Sequence, residues 1–247
     1  MTSELAIKCF DPNFKKEYIL ILADTQSNIY RDEKFIPEEN IKINKFLNTK
    51  DNRYLIAYSG NSLYNEKINP AIINENYRKI TDEKNLSFGE LENSLKNINS
   101  KLSEIDTPNT FLIANNLGKL SLDAYDINGL QKDELFFSAG NGSKEINKWI
   151  KQKLINLNRD ENNFILPISD AIKLSMQALN YAAKSDINTG GYFNLGILSE
   201  DKKINFSEFG KINKNLGYRE MIKLCEKEKN KVEQTFNVNS LEELIFN

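Results

Sequence analysis

The hydrophobic pattern changes period several times along the chain. Leu5, Ile7 and Cys9 alternate with polar Glu4 and Lys8, the two-residue period of a strand, and Asp11-Pro12-Asn13 closes it as a turn. Tyr18-Ile19-Leu20-Ile21-Leu22-Ala23 is a continuous apolar run, as in a strand covered on both faces, and it ends in Asp24-Thr25. Residues 31–40 are charged and irregular, with Pro37 among them. Ile41 and Ile43 then alternate with lysines, which suggests a half-buried strand with Lys42 and Lys45 on a solvated face. After a polar turn at 48–52, Tyr54-Leu55-Ile56-Ala57-Tyr58-Ser59 forms a second buried strand that runs into Gly60. That glycine is either a plain turn or a backbone N–H left open to a ligand.

The next stretches turn helical. Residues 61–85 and 87–105 predict two helices. In the second, Phe88, Leu91, Leu95, Ile98 and Leu102 recur at helical spacing behind a Ser87/Glu90 capping box. Three strands follow at 110–114, 119–125 and 134–139, with turns at 115–118 and 127–130. The last runs through Gly140-Asn141-Gly142-Ser143 into a helix over 144–157. A glycine-rich strand-to-helix turn can bind an anion, but it lacks the P-loop and dinucleotide signatures. Ser169 is the expected N-cap of a helix whose Ile172, Met176, Leu179 and Ala183 share one face. Strands at 192–198 and 203–209 close the series, and Gly210 marks the expected boundary. Residues 211–247 form a charged extension with a helix over 218–235. This order predicts an α+β domain at 1–210, a four-layer αββα sandwich, because two sheets between two helical layers bury every apolar face.

Composition narrows the function. A chain of 247 residues, 40% hydrophobic, has ample material for a core. Its net charge of −2 and the lack of a basic stripe argue against nucleic acid. No run is long enough to span a membrane, and the start has no signal-peptide pattern. Cys9 and Cys225 form no paired motif, so a reduced, cytoplasmic protein is expected. The chain has no histidine. That removes Ser-His-Asp and Cys-His machinery, His-ligated zinc and every imidazole base. An enzyme built from this chain needs a carboxylate, Lys, Tyr or amino-terminal base. Thr2 offers the last. Methionine aminopeptidases remove Met1 before a small side chain, leaving a hydroxyl and a free α-amine on one residue. An α-amine with a pKa of about 7.7–8 accepts a proton near neutrality.

Six segments together resemble the proteasome-like N-terminal nucleophile (Ntn) hydrolases: proteasome β-type subunits, HslV, Anbu and connectase. They are Thr2-Ser3-Glu4-Leu5-Ala6-Ile7, Ile21-Leu22-Ala23-Asp24-Thr25, Lys42-Ile43-Asn44-Lys45-Phe46, Ala57-Tyr58-Ser59-Gly60, Ser138-Ala139-Gly140-Asn141-Gly142-Ser143 and Ser185-Asp186-Ile187-Asn188-Thr189-Gly190-Gly191. They occur in the family's order and span about Thr2 to Phe209.

The resemblance implies a threonine peptidase or transpeptidase. Thr2 would be the nucleophile, Lys42 a cation beside it, and Asp24 the partner that orients Lys42. Gly60 N–H would be the oxyanion donor, with Asn141, Asp186 and Thr189 around the amine. It implies no cofactor and no metal, a peptide or protein substrate, and a homo-oligomer in a ring or stack, with room for an ATPase partner. No nucleic-acid or membrane partner is implied. The chain departs from the pattern in a longer Thr2-to-Asp24 interval, in Asn141 where the family has Ser, in the tail from Lys211, and in having no propeptide before Thr2. The alternatives are a catalytically inactive proteasome-like subunit with an assembly role and, more remotely, a small-molecule amidase.

Overall fold

The computed structural model describes residues 3–13, 15–31, 34–38, 45–60, 70–103, 109–156, 165–186, 188–213 and 215–235. The alternating start becomes β1 (Ser3–Asp11), and the apolar run becomes β2 (Lys16–Asp24). Their hairpin pairs Leu5 with Leu22 and Ile7 with Leu20. The segment expected to be irregular instead contains a separate hairpin, β3 (Ser27–Arg31) with β4 (Lys34–Glu38). Pro37 is accommodated because a two-stranded ladder is all edge, where a missing N–H need not break a pairing. β5 (Phe46–Asn48) and β6 (Tyr54–Ser59) form the next hairpin, while residues 41–44, including Lys42, lie outside the described residues.

α1 (Pro70–Asp82) starts on a proline, whose fixed φ and absent N–H suit the first helical turn. α2 (Phe88–Ser103) carries the expected capping box: Ser87 N–H donates to Glu90 Oε2 at 2.9 Å, and Glu90 N–H to Ser87 Oγ at 3.3 Å. β7 (Thr110–Asn116), β8 (Leu120–Asp126) and β9 (Gly129–Gln131) form a meander. β9 was expected to be turn. Asp126 Oδ1 accepts the Asn128 N–H at 2.7 Å, which tightens the reversal enough for Leu130 to pair with Tyr125.

β10 (Phe136–Gly140) leads into α3 (Ser143–Asn156). β11 (Leu166–Pro167) precedes α4 (Ile168–Ser185). Ser169 is not the N-cap: the helix opens at Ile168, the cap position is Pro167, and no side chain caps it. Proline already holds the extended conformation that a cap residue adopts. β12 (Tyr192–Ser199), β13 (Ile204–Lys211) and α5 (Tyr218–Thr235) complete the chain.

The strands form two main sheets, ordered β10-β1-β2-β12-β13 and β5-β6-β7-β8-β9, antiparallel except where β11 pairs in parallel with β1. Three buried clusters explain why. Leu5, Ile7, Leu20 and Leu22 on one face of the first sheet pack against α3, α4 and α5 through Trp149, Met176, Leu179, Met221 and Cys225. Tyr54, Ile56, Phe111 and Ile113 of the second sheet pack against Leu91, Leu95 and Ile98 of α2. The remaining faces meet each other through Ala6, Ile19, Ile21 and Ala23 against Leu55, Leu112, Leu122 and Ala124. Each fully buried Leu or Ile stabilises by about 1.5–3 kcal/mol, so the central strands β1 and β2, apolar on both sides, are the most firmly held. The candidate residues cluster at their Ser3/Asp24 ends.

Candidate active site

Asp24 ends β2 with no exposed surface, and three donors converge on it. Lys45 Nζ donates to Oδ1 at 2.6 Å, Ser3 N–H to the same oxygen at 3.1 Å, and Gly190 N–H to Oδ2 at 2.8 Å. Lys45 is itself buried and also donates to the Gln26 carbonyl at 3.1 Å. Burial pushes the Asp24 carboxyl above its usual range, opposed by the Lys45 charge and hydrogen bond and by the Gly190 and Ser3 N–H groups. Among the described residues the cation on Asp24 is Lys45; Lys42, expected in that role, lies outside them. The side chain read as facing solvent is one of the most enclosed charges in the molecule. Lys45 is positioned by the β5–β6 ladder, in which its carbonyl accepts the Tyr58 N–H at 3.2 Å.

Ser3 opens a second network. Gly142 N–H donates to Ser3 Oγ at 2.9 Å, Ser3 Oγ lies 2.5 Å from Thr189 Oγ1, and the Thr189 hydroxyl donates to Asp186 Oδ2 at 2.6 Å. Because Thr189 spends its proton on the carboxylate, Ser3 is the donor between the two hydroxyls. The relay runs one way, from the Gly142 amide through Ser3 and Thr189 to Asp186. Glycine is required at 142, since a Cβ there would stand 2.3 Å from Ser3 Oγ. The other Asp186 oxygen accepts the Asn188 N–H at 3.0 Å.

The glycine pair of the 185–191 loop joins the two networks to the sheet. Gln26 N–H donates to the Gly190 carbonyl at 3.2 Å, and Tyr192 N–H to Thr25 Oγ1 at 2.8 Å. Gly191 has φ +78°, and a Cβ on it would meet Thr25 Oγ1 at 2.7 Å.

Of the residues expected in the site, Asp24, Asp186 and Thr189 are brought together around Ser3. Thr2 and Lys42 lie outside the described residues. Asn141 is exposed in the β10–α3 turn, and it is the adjacent Gly142 whose amide reaches Ser3. Gly60 follows β6 with φ +129° and backs onto Asn109, two residues beyond Tyr58, whose amide pairs with Lys45.

Three contributors were missed. Ser3 was read only as part of the opening pattern. Lys45 is one of two lysines three residues apart, and periodicity does not choose between them. Glu4 was read as a polar outward position, yet it is fully buried. Burial pushes its carboxyl well above the usual range, Lys45 pulls it back, and Asp24 raises it further. A carboxylate directly before the apolar Leu5-Ala6-Ile7 run was the signal available for it.

No protein-family model matches the sequence, and no curated protein matches it significantly. Among solved structures, the chain is similar to an Anbu (Gly-1) mutant from Hyphomicrobium sp. strain MC1. The TM-score is 0.59 at 15% identity, covering 96% of this chain and 97% of that one. The fold is thus α+β with two main, largely antiparallel sheets and, among the described residues, five helices, similar to that of Anbu, as the sequence resemblance led one to expect.

Proposed function

We propose that this chain is a threonine-type N-terminal nucleophile hydrolase, acting as peptidase or transpeptidase, with Thr2 as nucleophile once Met1 is removed. In this reading the three apolar clusters are the interfaces of a four-layer αββα sandwich. The observation that carries the proposal is the buried Asp24–Lys45 pair at the Ser3 end of β1. Thr2 is joined to Ser3 by one peptide bond, so its Cα is about 3.8 Å from a residue whose N–H is already on Asp24. An ammonium has three protons, and Lys45 uses two of them on Asp24 and Gln26. The third has no acceptor among the described residues, and in this reading it goes to the Thr2 oxygen.

The chemistry then needs no cofactor. Thr2 Oγ attacks the substrate carbonyl carbon while its own α-amine takes the hydroxyl proton. Lys45 lowers the cost of negative charge on the oxygen. The Gly60 N–H is the candidate donor to the oxyanion that forms. Collapse breaks the carbonyl carbon–nitrogen bond, and the α-ammonium returns its proton to the departing amine. Water or a second amine then resolves the ester, giving hydrolysis or ligation. The Gly142–Ser3–Thr189–Asp186 relay fixes the residue next to the nucleophile. A homo-oligomer belongs to the same proposal, to be read from the mass of the native particle.

The test is the intact mass of native protein before and after an epoxyketone or β-lactone. Loss of Met1 with one adduct on Thr2, abolished in Thr2→Ala, is the expected result. Retained Met1 and no adduct would assign the Asp24–Lys45 pair to an inactive, structural role.

A further inference from the structure

The acids near the start of β1 are not equally occupied. Asp24 accepts from Lys45, Ser3 and Gly190, and both oxygens of Asp186 are engaged by Thr189 and Asn188. Glu4 differs. It has no exposed surface, and neither carboxyl oxygen has a hydrogen-bond partner among the described residues. A buried carboxyl without partners is costly, and a fold keeps one where something else is to occupy it.

The direction in which Glu4 faces follows from strand register. Its cross-strand partners are Ala23 and Ala139, and with Ala6 these line the layer between the two sheets. Residues directly opposite in antiparallel strands share a face, so Glu4 faces that layer as well. Ser3 has the opposite parity and is committed to the relay. Position 2 is two residues from Glu4 along the chain, so covalent geometry alone keeps its Cα within about 7 Å of that of Glu4.

The charged groups that bear on Glu4 are Lys45, which precedes β5, and Asp24, at the end of β2. β10 contributes no titratable side chain on its other flank. Lys45 is a long-range influence, since its hydrogen bonds go to Asp24 and Gln26.

We infer that Glu4 is the positioning residue for the α-amine of a chain that begins at Thr2, and that it sets the pH at which this amine gives up its proton. The inference deepens the reading of Thr2 as the trimmed nucleophile and rests on it. Before trimming, position 2 has an amide nitrogen and no charge. Cleavage of the Met1–Thr2 bond creates a basic nitrogen two residues along the chain from this unspent buried acid. Acid and amine then hold one proton between them. A carboxylate beside the amine favours the ammonium, so the free base appears at higher pH, while Lys45 opposes this. Glu4 and Lys45 together set the balance that the hydroxyl and relay residues leave untouched.

The experiment uses the full chain beginning at Thr2, released from an amino-terminal fusion, so that the amine is present whatever the native processing. Its ionisation is read by competitive acetylation of the α-amine against pH, quantified on the amino-terminal peptide. Glu4→Gln is expected to lower the apparent pKa by about one pH unit or more. Asp186→Asn, which acts through Thr189 and Ser3, is expected to move it less. An unchanged or raised value in E4Q, or a shift in D186N as large as that in E4Q, would overturn the inference. A second measurement needs no variant. The carbon-13 carboxyl titration of Glu4 should move to lower pH in the Thr2-initiated chain than in the Met1-bearing chain. Identical titrations would also overturn it. Retention of Met1 in native material would count against Thr2 as nucleophile and leave these results standing.

Discussion

At the level of one side chain, Lys45 is a buried charge bonded to a buried charge. Its ammonium is the charged partner that lets Asp24 remain buried, so the two form a unit. Lys45→Met is expected to cost about 3–5 kcal/mol, because it leaves a carboxylate without its counter-ion. The double variant Asp24→Asn/Lys45→Met should be more stable than Lys45→Met alone, as urea unfolding of the four proteins would reveal. Equal losses in both would mean that the pair is not coupled.

Glu4 gives the opposite sign with pH. Its folded-state pKa is raised, and an unfolded Glu titrates at about 4.3. Between those values the folded chain holds a proton that the unfolded chain has lost, so stability falls as pH rises. In the Met1-bearing chain, Glu4→Gln should melt like the wild type in acid and progressively above it toward neutrality. A constant offset at every pH would be incompatible with burial as the cause. Asp24, Asp186 and Thr189 were legible because each sits in one of the ordered segments that resemble the proteasome-like family. Lys45 was not, because choosing between two lysines on a mixed strand requires the pairing register.

Elements were legible where one period runs long. The stripe of α2, its capping box and the bounds of α5 follow from spacing alone, since an amphipathic helix has one apolar face to bury whatever covers it. The short β9 and the β3–β4 hairpin were missed because three- to five-residue ladders leave little periodic signal. At this scale the β10–α3 turn makes a sharp prediction. Gly142→Ala puts a methyl against Ser3 Oγ and should destabilise by about 1–3 kcal/mol, as overpacking does. Adding Ser3→Ala should recover part of that loss in a thermal melt. If the double variant is no better than G142A, the clash lies elsewhere. Any reactivity of Thr2 towards a covalent probe should fall in G142A as well, since the added methyl pushes the Ser3 hydroxyl out of the relay.

For the molecule as a whole, the cysteines report on integrity. Cys9 and Cys225 are both buried in the cluster between the first sheet and its helices. Burial, with Asp11 adding to it, pushes the Cys9 thiol well up. Burial, partly offset by Asn180, pushes the Cys225 thiol to about 12. Thiolate is the reactive form, so neither should alkylate at mildly alkaline pH until the chain unfolds. Both should then react in the same denaturant range, followed by mass. Early labelling of Cys225 alone would mean that α5 detaches from α4 before the rest opens. The expected match in fold class rests on the same clusters. Their composition was visible as apolar runs, whereas which face of β1 meets α4 and which meets the second sheet was not.

The sequence on its own determined the strand and helix periods, the absence of histidine chemistry and the six ordered segments that resemble the proteasome-like family. Those properties are local or compositional, and a residue carries them without knowing its neighbours. Only the tertiary structure decided that Lys45 pairs with Asp24, that Ser3 joins the Thr189–Asp186 relay, and that Glu4 is sealed between the sheets. Each of those depends on segments distant along the chain being brought into register, which no local period encodes.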